Sequence, residues 1–164
     1  MRLVALCVIV ALTSAGAEQR DDLVQSLATV AAFRTQLSNA VIECKYSANQ
    51  RAMDVTSVRQ QYDDLSSRYQ IFIRALNTAL EKPDQVRSAV SAAEALDRGA
   101  EAFVANTRMA VGRGTSKNLL AAGPFVQLLV SALLLRAKKS KHDRSVLVDQ
   151  ITQATAWTPW QEVR

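Results

Sequence analysis

Few side chains in this sequence are equipped for chemistry, and their spacing is the first constraint on what the chain does. His142 is the sole histidine and stands in a basic run, Lys138-Lys139-Ser140-Lys141-His142, with no HExxH, CxxC, CxxCH or EF-hand spacing anywhere. A haem or di-metal bundle needs several histidines or carboxylates facing inward at helical intervals. The chain has no such set, so neither a metal nor a cofactor is expected. Asp21-Asp22 and Asp63-Asp64 are carboxylate pairs, but adjacent residues on a helix do not face one another. They read as solvated charges, and the chain reads as a non-enzyme.

Two further patterns invite chemistry and have plainer readings. Gly112-Arg113-Gly114-Thr115-Ser116-Lys117 precedes a helical segment, where backbone N–H groups can receive an anion. It lacks the GxxxxGK[ST] spacing and follows no strand, so a helix connection is expected. Tyr62, Tyr69 and Phe72 form an aromatic stripe of the kind that stacks on bases. At heptad spacing such a stripe is core. Cys44 is the one cysteine outside the N-terminal apolar run; it reads as a small buried hydrophobe rather than an intermolecular disulfide.

The residues best placed for contact with another body are Arg136, Lys138, Lys139 and Lys141, beside an apolar helix, and the tail tryptophans Trp157 and Trp160. Lysines next to apolar surface suit an acidic membrane, and tryptophans suit a membrane interface or a partner groove. The plainer reading of the tryptophans is that they pin the C-terminus onto the bundle. Charge supports a localised contact. The chain carries 20 basic and 15 acidic residues, and from Ala102 to His142 there is no acidic residue at all. Nucleic acid is not an expected partner, because the N-terminus reads as an export signal.

That signal consists of Met1-Arg2, the apolar run Leu3 to Leu12, and Thr13-Ser14-Ala15-Gly16-Ala17, small residues of the A-x-A kind. Cleavage after Ala17 is expected, leaving residues 18–164 as one domain in a secreted, periplasmic or lumenal compartment. A segment of that length can bury a real core without disulfides.

The elements that must position these residues are helices, because glycine and proline are scarce and alanine, leucine, glutamine, arginine and glutamate fill the long segments. Helices are expected at about 21–46, 54–81, 84–111, 116–138 and 144–156. The first carries a seam Leu23, Leu27, Val30, Arg34, Leu37, Val41 and Cys44, in which Arg34 is tolerable only if its stem lies along the seam and its head reaches water. The second repeats Val55, Val58, Tyr62, Leu65, Tyr69, Phe72, Leu76 and Ala79 in alternating steps of three and four. Lys82-Pro83-Asp84 makes a short joint, so the second and third helices should be antiparallel. The third buries an alanine-rich face, Val86, Ala89, Val90, Ala93, Leu96, Ala100, Phe103 and Val104. The fold class is all-α, an antiparallel helical bundle of four to five helices with long, coiled-coil-like heptad patterning.

Leu119 to Leu135, LLAAGPFVQLLVSALLL, decides between two architectures. It is seventeen residues long without a charge, and its polar or small positions Gly123, Gln127 and Ser131 occupy one narrow line. A helix apolar nearly all round is core or a membrane span. As core, it is wrapped by the other helices, and the protein acts as a binding, adaptor or assembly module with a protein partner. As a span at about 119–135, it leaves an exported helical domain and a short basic cytosolic tail. Its length opposes the span, covering about 26 Å of a hydrocarbon layer of roughly 30 Å. A membrane-interacting bundle that exposes this helix only at lipid lies between the two.

Overall fold

The computed structural model describes the backbone of residues 2–51, 55–110, 123–136 and 141–160, and the side chains of 18–48, 55–109, 123–135 and 143–160. Among the described residues five α-helices follow one another: α1 (Arg2–Arg51), α2 (Thr56–Glu81), α3 (Val86–Ala110), α4 (Pro124–Arg136) and α5 (Lys141–Ala154). They pack on each other as an all-α bundle, with no strand among the described residues.

Neighbouring pairs give the directions. Between α2 and α3, Gln61 meets Asn106 at 3.0 Å and Arg68 reaches the carbonyl of Ala95 at 3.5 Å, so residue numbers fall on one helix as they rise on the other. The four-residue joint Lys82 to Gln85, a 3-10 turn from Pro83 onward, reverses the chain as expected. Between α1 and α4, Ser26 meets Ser131 at 2.8 Å, and the rings of Phe33 and Phe125 stand edge to face at 5.8 Å, again antiparallel.

The heptad seam of α2 is buried as its spacing predicts, from Val58 through Ala79, with Leu80 added. On α3 the alanine-rich face brings the backbones close. A Cβ on Gly99 would stand 3.1 Å from Leu65 Cδ2, nearer than ordinary contact. On α1 the buried set is Leu23, Ser26, Val30, Phe33, Leu37, Ala40, Val41 and Cys44, a face broader than the expected seam and including Phe33, which that seam passes over. Cys44 is fully buried, and burial pushes its thiol pKa up, which keeps it protonated and a poor nucleophile.

Helix bounds differ from the sequence reading at both ends of α1, which runs on to Arg51 past the expected 46, and in α4 and α5. α1 does not begin near Asp21, because Glu18, Gln19 and Arg20 are sound helix formers and nothing there interrupts the backbone. Asp21 and Asp22 therefore lie within the helix and do not cap its start. The described part of the expected helix 116–138 is α4 from Pro124, set off at its start by Gly123, which takes a left-handed φ of 55°. Residues 116–122 lie outside the described residues. α5 runs from Lys141 to Ala154, starting earlier and ending earlier than expected.

α4 is 13 residues long, about 20 Å, roughly half the length of α2. It packs on α1, α3 and α2, with Phe125, Leu128, Leu129 and Ala132 fully buried. Beyond its N-terminus, at the level of Tyr69 and Tyr62, the bundle is closed instead by the non-helical segment after α5. There Trp157 stacks on Tyr69 at 5.4 Å and Trp160 meets Tyr62 at 5.5 Å. Phe125 touches Phe33, Phe72 and Tyr69, so the rings form one connected column from α4 to the tail.

Candidate functional site

The residues singled out by sequence divide into three groups. Trp157 and Trp160 are brought together on the bundle. Arg136 and Lys141 close α4 and open α5 as backbone positions only, while Lys138 and Lys139 lie outside the described residues, as does the whole Gly112–Lys117 loop. Among the described residues no group of three or more histidine, cysteine, aspartate or glutamate side chains could hold a metal ion.

Two places on the surface have built geometry. The first is the cleft between α1 and α2 that holds residues 154–160, a segment that leaves helix at Ala154 and is kept out of it by Pro159. Arg34 Nη1 donates to the carbonyl of Ala154 at 3.0 Å, placing a cation at the negative end of α5. The head of Arg34 thus ends on a helix terminus at the exposed rim of the bundle, which is why this seam position tolerates it. Tyr62 Oη donates to the carbonyl of Thr158, and Lys45 Nζ donates to the carbonyl of Trp160 at 2.7 Å while lying 5.2 Å from its ring centre. Thr155 Oγ1 donates to the carbonyl of Ile151 at 2.7 Å, so in its 2.9 Å pair with Tyr69 the phenol is the donor.

Burial pushes Tyr62 up to about 12, with Asp63 adding to the rise and Arg34 opposing it, and burial raises Tyr69 as well. Both hydroxyls therefore stay protonated and able to donate near neutrality. Sequence reasoning placed the two tyrosines in the core but missed that their hydroxyls serve the tail.

The second place is an open groove of about 400 Å³ between α1 and α4. Asp22, Gln25, Ser26 and Thr29 form one wall, and Val126, Gln127, Val130, Ser131 and Leu134 the other. Its floor is the buried Ser26–Ser131 hydroxyl pair, and its apolar lip is the i, i+4 pair Val130 and Leu134, 47% and 48% exposed. The expected polar line of α4 is thereby split, with Gln127 facing out and Ser131 facing α1. Among the described residues no helix is long and apolar enough to cross a membrane.

α4 is held in place by a residue that sequence reasoning did not single out. Asp97 of α3 is 9% exposed, and its two carboxylate oxygens each accept one main-chain N–H, from Phe125 and Val126, both at 3.1 Å. This is a helix cap supplied from another helix. Burial raises the Asp97 carboxyl to about 6, against the pull of the two N–H bonds. Comparison of the chain with protein-family models, with curated proteins and with solved structures gives no match.

Proposed function

We propose that the chain is an exported, non-enzymatic helical-bundle module that binds a protein partner through the groove between α1 and α4. The observation that carries this reading is the groove itself, an apolar lip of Val126, Val130 and Leu134 facing a polar wall on which Asp22 is the charged residue among those described. Large exposed apolar side chains at i, i+4 across a concave strip fit the apolar face of an amphipathic helix. Asp22 selects a helix that carries a lysine or arginine beside that face, because the partner's cation would otherwise stay in water and the carboxylate unpaired.

Export is supported by the Leu3 to Ala17 pattern. Every described core residue of α1, from Leu23 onward, lies beyond the expected cleavage point, so removal of residues 1–17 leaves that core intact.

The test replaces exposed Gln127 with a photo-reactive residue, expresses the full chain in its native host and labels the exported fraction. A labelled partner is expected in the wild-type background and in an Ile71→Lys control, and its loss in Leu134→Lys. Equal labelling in both variants, or no labelled protein at all, overturns the groove as the site. Mass analysis of the same fraction reads the N-terminus, expected at Glu18.

A further inference from the structure

We infer that the cleft between α1 and α2 is a recognition site for a non-helical peptide carrying two aromatic residues three positions apart, and that residues 155–160 are the chain's own occupant of it. The cleft treats this segment as a ligand. Tyr62 and Lys45 donate to the carbonyls of Thr158 and Trp160, so two side chains from the bundle read the main chain of the segment, which any peptide possesses, while Arg34 holds the Ala154 carbonyl at the end of α5 just before it. Donors aimed at main-chain carbonyls give affinity without sequence preference; side-chain slots supply the preference.

The slots are two. Trp160 is 9% exposed, stands against the Tyr62 ring and lies under the Lys45 ammonium, an arrangement suited to a tryptophan face. Trp157 lies between Tyr69 and Tyr62, with ring centres 5.4 and 5.6 Å away. Its Nε1 is enclosed without an acceptor among the described residues, and a gap of about 10 Å³ remains beside it, bounded by Arg34, Leu37 and Ser38. The first slot therefore reads an aromatic face and does not reward the indole N–H, whose burial unpaired costs free energy. The motif that fits is aromatic-x-x-Trp in a non-helical backbone, with proline tolerated before the tryptophan.

An occupant tethered by α5 competes at an effective concentration in the millimolar range, so a free peptide meets the cleft mainly when the strap is released. The ligand class is a partner protein's non-helical aromatic-x-x-Trp segment, and the strap is its built-in competitor. This inference does not depend on the α1/α4 groove, which lies on the other side of α1's buried face.

The test uses the full chain and a fluorescently labelled peptide TAWTPW. The double variant Trp157→Ala, Trp160→Ala empties both slots and is expected to bind the peptide at least tenfold more tightly than the wild type does, with Lys45→Met in that background weakening it at least fivefold. A double variant that keeps its helical signal and cooperative melt yet shows no saturable binding overturns the proposal. Where the double variant does not fold, the wild-type chain decides: a photo-reactive form of the peptide in millimolar excess is expected to label α2 around Tyr62 and to be competed by unlabelled TAWTPW. Absence of that label, or label that ATATPA displaces equally well, overturns it.

Discussion

Asp97, in the middle of α3, accepts the main-chain N–H of Phe125 at 3.1 Å and so supplies from a neighbouring helix the cap that α4 lacks in its own sequence. A residue 28 positions away thereby fixes where the apolar helix starts and how it enters the bundle. The bond is stabilised by the positive end of the α4 dipole and opposed by the burial of a carboxylate to which no cation is bonded among the described residues. Burial is the larger effect, since the carboxyl is raised and not lowered.

The sign of the resulting pH dependence follows from that. The unfolded chain releases the Asp97 proton near pH 3.8 and the folded chain near 6. Between those values the folded state holds a proton the unfolded state has lost, so this group's contribution to stability is greatest below about pH 4 and falls as pH rises to 6. A shift of about two units corresponds to a loss on the order of 3 kcal/mol. Denaturation midpoints at pH 4 and 6.5 should differ accordingly in the wild type and converge in Asp97→Asn, which keeps one acceptor and no charge. Identical slopes in the two proteins would refute the assignment.

Gly123 is the second half of the same joint. Its φ of 55° lies in the left-handed region, and a Cβ there would stand 3.0 Å from Asp97 Oδ2 and 3.3 Å from Val126 Cβ. Gly123→Ala should therefore cost about 1–3 kcal/mol, combining backbone strain with displacement of the cap. A double-mutant cycle with Asp97→Ala separates the two. Removing the carboxylate should recover part of the loss, and strictly additive effects would mean that strain alone is responsible.

Much of the architecture is legible in the residues because periodicity reports burial, and burial forms most of this fold. The α2 seam is complete from Val58 to Ala79 because every step is three or four and no charge intervenes. On α1 a strict seam passes through Arg34 and overlooks Phe33, since a helix enclosed by three neighbours buries a face wider than one line. Asp97 escaped notice although it continues the run Ala93, Asp97, Ala100, Val104 at core spacing; a carboxylate in that register is the trace of a cap whose other half lies in α4. The tail cleft was illegible for a different reason. Arg34, Lys45 and Tyr62 converge on carbonyls of residues 154–160, and no local pattern encodes an encounter across more than ninety positions.

Leu129 and Val130 are sequence neighbours with opposite environments, 0% and 47% exposed. Leu129→Ala should lower stability by about 2–5 kcal/mol, the usual range for a buried leucine that leaves a cavity. Leu129→Asp should abolish the cooperative melt, because it adds an unpaired buried charge. Val130→Asp should leave the melt nearly unchanged while disabling the α1/α4 groove. Equal thermal shifts for Leu129→Asp and Val130→Asp would show that α4 is not oriented as described.

Tyr62 gives the bundle an alkaline limit that its neighbours reinforce. In the unfolded chain the phenol ionises near pH 10, whereas burial holds it protonated in the fold to about 12. The folded state therefore keeps a proton the unfolded state has lost in that window, and stability falls as pH rises from 10 towards 12. Tyr69, raised for the same reason, acts in the same direction. Tyr62→Phe removes the donor to the Thr158 carbonyl, so it should cost about 0.5–1.5 kcal/mol at pH 7 and yet lose stability less steeply than the wild type above pH 10. Denaturation midpoints at about pH 7, 10 and 11 for both proteins check this crossing of slopes. A parallel decline in the two would remove Tyr62 as its source and leave Tyr69, whose own phenylalanine variant would then have to carry the whole alkaline loss.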